Sequence, residues 1–316
     1  MRLVEKNMDI VIFIKKIGLA GLLFVFCATL AFGQRQQGET DWHKDGLQRR
    51  VKSIAIKEYT ATGDSTQRGE PLESIVKQYN EQGFLTEIKE FNEDGTIAQR
   101  QVVVHLKKQR EELLYGEDGK LLEKIVSKLN SAGNPTQSIV MNERGNVQEK
   151  TVYLYDEKER LVRQSGYDAK GKMSENCYYT YNNDVLNEYL GFGEYENKKI
   201  VYKYDAQKNP VELLVYDSKT NVFLEKITQQ FDKNKNLTEI SYWDEKNVLK
   251  SSVSYRYDEK GNLLEYTVSD TDKNISDKFS FDYQYDTHNN WTLQIVYKGG
   301  GKQAESRIER NIVYYD

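Results

Sequence analysis

Few side chains in this sequence have the types and spacing that chemistry needs. Asp270, Asp272, Asn274 and Asp277 lie in "DTDKNISD", and Asp232, Asn234 and Asn236 in "DKNKN". Oxygen-bearing side chains at alternate positions can wrap a hard cation such as calcium, as the first half of an EF-hand loop does. Neither stretch has the downstream bidentate glutamate, and both fall where the chain is expected to turn, so turn formation is the competing reading. His43, His105 and His288 are far apart, with no His-x-x-x-His or His–Glu pair to hold zinc. Cys177 alternates in phase with Tyr179 and Tyr181, which reads as a buried, inert thiol. No Gly-x-Ser-x-Gly elbow occurs, and "GGGK" at 299–302 lacks the Ser/Thr and helix of a phosphate loop. The expectation is no enzyme and no cofactor. Aromatic side chains are the remaining candidates. Tyr153, Tyr178 and Trp243, read as outward-facing, could stack on sugar rings, whereas the other tyrosines read as core packing.

The totals point to a particular kind of scaffold for these residues. The chain has 316 residues, 38% hydrophobic and 30% charged, and a mean hydropathy of −0.76. Such a chain has too little apolar material for a core buried on all sides. Its 23 Tyr and 3 Pro favour strands, because aromatics suit a pleated surface and few prolines leave the ladder donors intact. Positive and negative charges are interspersed, without the one-sided basic footprint that nucleic acid requires.

The stretch from Met1 to Gly33 differs in kind. Lys15 and Lys16 precede an apolar run from Ile17 to Leu30, followed by Ala31, Phe32, Gly33 and Gln34. Basic residues, a short apolar run and small residues before a junction describe a cleaved export signal, cut between Gly33 and Gln34, with Met8 as an alternative start. The run falls short of the ~20 residues that span a bilayer. A lipid attachment at Cys27 is disfavoured by bulky Phe24 and Phe26 beside it. Removing this leader takes away Arg2, Lys6, Lys15 and Lys16 with Glu5 and Asp9, moving the formal charge from −4 to −6. Cys177 is then the sole cysteine, so no internal disulfide can form. The polar stretch 34–50 reads as a flexible lead-in, and no membrane span is expected after cleavage.

From residue 51 onward the chain repeats itself. "IVKQYNEQGFL", "TVYLYDEKERL", "IVYKYDAQKNP", "ITQQFDKNKNL", "VSYRYDEKGNL" and "FDYQYDTHNNW" share one pattern. Anchors at Tyr79, His105, Leu129, Tyr155, Tyr181, Tyr204, Phe231, Tyr257 and Tyr285 recur at a nearly constant interval. They define about nine units of roughly 26 residues over 51–316. Looser copies half a period on, such as "EFNEDGTI" and "GYDAKGKM", make the true module a strand and a turn, about 18 or 19 strands in all. Asp156, Asp205, Asp232, Asp258 and Asp286 occupy the first turn position, where a carboxylate accepts backbone N–H groups two or three residues on. Gly261 follows three later, at the left-handed position that closes a short hairpin, and Asn289 stands in the matching place. Strand residues alternate apolar and polar, as Val253, Tyr255 and Tyr257 do against Ser254 and Arg256. The expected fold is all-β: repeated antiparallel hairpins in a long meander. Such a sheet must coil into a spiral shell, close as a wide barrel or fold over itself.

The segments "YDEKGNL" and "YKYDAQKNPVELLVYD" resemble YD repeats, also called RHS repeats, of exported bacterial proteins, and the half-copies resemble MORN-type hairpin repeats. The resemblance covers most of the chain. It implies a β-rich spiral, which in large relatives encloses a toxic cargo domain or contacts carbohydrate; this chain is far shorter and ends on a repeat strand. The expected function is an exported, non-enzymatic scaffold presenting an extended surface to a protein or glycan partner in the bacterial envelope. The alternatives are a carbohydrate-binding module and an immunity or antitoxin-type partner of a secreted effector.

Overall fold

A computed structural model describes residues 40–61, 68–193, 197–301 and 303–316, apart from the side chain of Glu70. The expected leader, with its junction at Gly33 and Gln34, lies outside the described residues. One short helix, α1 (Asp41–Lys44), precedes the strands β1 (Val51–Ala61), β2 (Arg68–Tyr79), β3 (Leu85–Phe91), β4 (Ile97–Leu106) and β5 (Gln109–Tyr115). Next come β6 (Leu121–Leu129), β7 (Pro135–Asn142), β8 (Val147–Tyr155), β9 (Leu161–Asp168) and β10 (Met173–Asn182). They are followed by β11 (Val185–Gly193), β12 (Asn197–Tyr204), β13 (Pro210–Asp217), β14 (Phe223–Phe231) and β15 (Leu237–Trp243). The last are β16 (Leu249–Tyr257), β17 (Leu263–Asp270), β18 (Ile275–Tyr285), β19 (Trp291–Lys298) and β20 (Ala304–Tyr314).

Each strand pairs antiparallel with its neighbours in sequence, and β20 returns to pair with β1 from Val51↔Tyr314 to Thr60↔Ser306. The meander is therefore a closed 20-stranded barrel. Of the three ways of hiding the apolar face, closure is the one adopted, and it leaves no unpaired edge. The nine anchors and Tyr314 all lie at the ends of even-numbered strands, so the repeat period is one hairpin and every anchor lies at one mouth. The half-period copies form the turns at the other mouth.

The turn carboxylates do their expected work with one change of register. Asp258 Oδ1 accepts the N–H groups of Lys260 and Asn262, both at 2.8 Å. Asp156, Asp205, Asp232 and Asp286 accept from residues two and four further on in the same way, rather than two and three. The reason is the extra residue in the loop. The N–H of residue four donates to the carboxylate after the chain passes through the left-handed position at residue three. Gly261 has φ +83° and Asn289 φ +64°, while Glu159, Lys208 and Lys235 take this conformation without being Gly or Asn. A register shift follows at each such anchor, as between Arg256 and Tyr257, which is the bulge of this hairpin type.

The expected flexible lead-in is packed where it is described. Asp41 Oδ2 accepts the N–H of Leu85 at 2.8 Å, and Trp42 Nε1 donates to the Val51 carbonyl at 2.7 Å. Leu47 is buried against Val51, Ile54 and Tyr79. Asp45 receives the Tyr79 hydroxyl and lies 2.5 Å from Lys77 Nζ. This segment plays the part of one more repeat turn. Gly83 accommodates it, because a Cβ there would come within 2.5 Å of the Trp42 ring.

The turns can be tested by substitution and by acid. Asp258→Ala removes the acceptor of two backbone N–H groups, the Asn262 amide and the Tyr285 hydroxyl, and should cost about 2 kcal/mol, read from the urea midpoint. The carboxyls of Asp205, Asp232 and Asp244 are held below their ordinary range, chiefly by backbone N–H bonds from Asn209, Asn236 and Val248. A depressed folded-state pKa contributes stability above the unfolded value near ~3.9 and loses it as pH falls through the folded value. The urea midpoint should be level from pH 7 to 5 and fall steeply below about pH 4.

Candidate functional site

A closed sheet has two faces, and only the one turned inward is shielded by the ring itself. Following cross-strand partners around the ring places Cys177, Tyr189, Ile200, Val215, Ile227, Tyr242, Val253, Tyr266, Phe279 and Ile308 on one face. The buried apolar residues of β10–β18 share this register, which identifies it as the lumen. The opposite wall differs. Strands β5 to β8 contain no fully buried residue. Their lumen positions carry polar groups: Gln101 of β4 donates to Glu112 at 2.8 Å, and the hydroxyls of Ser127 and Ser138 lie 2.8 Å apart. The lumen therefore has one aromatic wall and one wet wall.

The anchor tyrosines explain their own identity. Tyr155, Tyr181 and Tyr204 donate their hydroxyls to the carbonyls of Pro135, Leu161 and Leu186 at 2.9, 2.9 and 2.6 Å. Each bond reaches back to the start of the strand after the preceding turn, tying one hairpin to the next. Phenylalanine would fill the space without making the tie. Burial pushes the phenols of Tyr204 and Tyr257 up to about 12.

Six residues before an anchor, at the far end of the lumen, stand Glu73, Glu123, Glu149, Glu175 and Glu225. They belong to β2, β6, β8, β10 and β14 and share the lumen register. Burial raises the Glu225 carboxyl, against the lowering influence of Lys198. The sequence reading does not single out these glutamates, although their signal, a Glu six residues before five of the nine anchors, is present.

The outward register is charged. Lys203 pairs with Glu212 at 2.6 Å and Lys278 with Glu265 at 2.8 Å, and Lys199 lies 3.5 Å from Glu188. Of the three aromatics read as outward, Tyr178 and Trp243 are so placed. Tyr153 instead faces the lumen, opposite Gln164 and in register with Cys177. It is two residues from anchor Tyr155, and a period of two puts both on one face. Trp243 donates Nε1 to Thr228 at 3.0 Å, with Lys226 4.7 Å from its ring centre. It lies five strands from Tyr178, roughly 24 Å at strand spacing, so the two do not form one site.

Tyr178 lies in a cleft of about 640 Å³ at the acidic mouth, lined also by Asn176, Phe192, Asn197, Glu175, Asp168, Lys172 and Lys219. Tyr178 is 37% exposed and its ring is braced by its neighbours. Arg163 sits 5.5 Å from its centre and donates Nε to Asn176 Oδ1 at 3.0 Å; Asn176 in turn donates to the Tyr178 hydroxyl at 2.7 Å. Ser165 anchors the same Asn176 oxygen at 2.9 Å. Phe192 opposes Asn176 across the ladder, which sets it diagonal to Tyr178. Two aromatics, amides and charges of both signs thus share one surface.

The remaining candidates do not converge. Asp270 accepts from the Lys273 backbone and ammonium, and Asp272 lies 3.3 Å from Lys250. Asn274 holds the left-handed turn position with φ +53°, and Asp277 faces the lumen opposite Val268. Asp232 is engaged by Asn234 and Asn236. Among the described residues no three His, Cys, Asp or Glu side chains assemble to hold a metal. His43 caps α1 through Thr40, His105 meets the Leu85 carbonyl at 2.8 Å, and His288 lies 4.3 Å from the Tyr314 ring centre. Cys177 is 1% exposed.

No family model and no curated protein matches the chain. Among solved structures it is similar to a porin-like protein from Bacteroides uniformis, with 14% identity and a TM-score of 0.39 over 83% of this chain and 98% of that one. A porin-like protein from Bacteroides vulgatus gives 12% identity and a TM-score of 0.32 over 85% and 99%. The TcdB2-TccC3-TEV structure gives 14% and 0.32 over 78% of this chain and 15% of its own length. Function therefore rests on the geometry of the chain itself.

The tyrosine ties carry a prediction at high pH. A phenol whose folded pKa is raised stabilises the fold below its unfolded value near ~10 and loses that contribution as pH rises through the folded value. The tyrosinate absorbance of buried anchors such as Tyr204 and Tyr257 should therefore appear above about pH 11, together with loss of strand circular dichroism. Free titration near pH 10 with the fold intact would contradict the buried ties.

Proposed function

We propose that this chain is a non-enzymatic binding barrel of the bacterial envelope, exported and standing in water, that takes a saccharide on the Tyr178 platform. The observation that carries the reading is the braced, exposed Tyr178 ring in its cleft, with Phe192 diagonal to it and amides and charges around it. Sugar rings offer C–H faces that stack on aromatics and hydroxyls that bond to amides and carboxylates, and this surface presents both. The outward ion pairs support a barrel surrounded by water, since a membrane barrel turns an apolar band about 25 Å tall towards lipid. The likeness to YD and MORN-type repeats, read from the turns, fits an envelope scaffold whose loops diverge in ligand.

Calorimetric titration of the protein with fragments of bacterial surface polysaccharide tests the reading. Tyr178→Ala should weaken binding at least tenfold, with the urea midpoint shifting by less than about 1 kcal/mol equivalent because the ring is partly exposed. Unchanged affinity in Tyr178→Ala would remove the platform from the function. Capture of one stoichiometric protein, with no saccharide, would replace it with a protein-binding reading.

A further inference from the structure

The opposite mouth holds a second cavity of about 490 Å³, formed where residues 46–49 meet the turns after β16 and β18. Its charged lining residues are Arg49 and Lys260, with Gln48, His288 and Asn289 beside them; Asn262, also in the lining, spends its amide on Asp258 and the Tyr285 hydroxyl. The carboxylates of those turns point elsewhere. Asp258 receives the Tyr285 hydroxyl and its own turn N–H groups, and Asp286 receives the Tyr314 hydroxyl and the N–H groups of His288 and Asn290. Lys260 is held across the cavity edge, 3.9 Å from the Tyr285 ring centre and 3.1 Å from Asn289 Oδ1.

The cavity wall is fastened on both sides. Gln48 N–H donates to Asn290 Oδ1 at 2.7 Å, and Asn290 Nδ2 donates back to the Gln48 carbonyl at 3.0 Å. Asn290 is itself buried. The next residue, Arg49, has φ +69°. Among the described residues it is the one non-glycine residue in the left-handed region that lies outside a hairpin turn. A β-carbon in that region is strained, and the fastened Gln48 beside it holds Arg49 there.

We propose that this cavity is a binding site for a small oxyanion, the carboxylate or phosphate group of a sugar-sized ligand. The Arg49 fork and the Lys260 point charge bind the anion, and the amides of Gln48 and Asn289 orient its body. The volume lies within the range of small-molecule pockets. The site is separate from the Tyr178 cleft, which opens at the other mouth, and does not depend on the saccharide reading.

Titrating the full chain with inorganic phosphate and, separately, with glucuronate tests the proposal by calorimetry and by chemical-shift changes at Gln48, Lys260 and Asn289. Saturable binding of either probe is expected, weakening as salt is raised; which probe binds more tightly distinguishes a phosphate from a carboxylate ligand. Arg49→Gln with Lys260→Gln should lower that affinity at least tenfold, whereas Lys233→Gln, an exposed lysine at a neighbouring turn of the same mouth, should leave it unchanged. Arg49→Gly should relieve the backbone strain, raising the thermal midpoint by about 1–3 °C while weakening the anion. Failure of both probes to saturate, or equal loss in Lys233→Gln, would overturn the site. So would an Arg49→Gly variant that keeps full affinity.

Discussion

The ladder between β1 and β20 turns a ribbon with two hydrogen-bonding edges into a ring, and the other features of the barrel require that ring. A single-layer sheet of 20 strands has an apolar face that no separate layer covers, because the only described helix is one turn long. Closure supplies the cover by making that face a lumen, and it removes both edges at the same time. Residues 40–50 seal the seam from one end. Leu47 and Val51 pack against Ile54 and Tyr79, and Asp45 takes the tyrosine that would otherwise lack a turn carboxylate.

Closure by hairpins places conflicting demands on each turn. The loop must reverse the chain, seat one residue in the left-handed region and leave a bulge that lets the wall curve. The Asp carboxylate meets these demands locally by accepting the N–H groups of the second and fourth residues. Anchor tyrosines meet them between hairpins: Tyr155, Tyr181 and Tyr204 donate to the strand after the preceding turn, and Tyr79 and Tyr285 donate to the carboxylates of Asp45 and Asp258. Where the anchor is Leu129 or Phe231, the space is filled and the tie is absent. The two walls differ independently of the ties: β10 to β19 surround a packed aromatic cluster, while β5 to β8 have polar groups in the lumen and no buried side chain.

On the proposed reading, function falls to the positions that the repeat leaves free. Tyr178 is one residue past Cys177, on the opposite face, so its ring is available to solvent while its neighbour closes the core. Its stiffness comes from Arg163 and Asn176 beside it, not from the repeat. The cavity at the other mouth likewise exists only where residues 46–49 meet two turns, and neither part contains it alone.

The sequence by itself determined the local grammar: the all-β class, the hairpin period, the turn carboxylates and the alternation that buries Tyr179 and exposes Tyr178. These are legible because a turn and a period of two are set by backbone sterics within a few residues. It also held the lumen glutamates, six residues before five of the nine anchors. Tertiary structure alone decided that the meander closes with 20 strands, that residues 40–50 complete the repeat series, and that Tyr153 faces inward. Closure depends on summed twist and on the pairing of strands from opposite ends of the chain, quantities that no local pattern carries. Pockets at the mouths depend on loops meeting across strands, so their residues become neighbours only after the ring has formed.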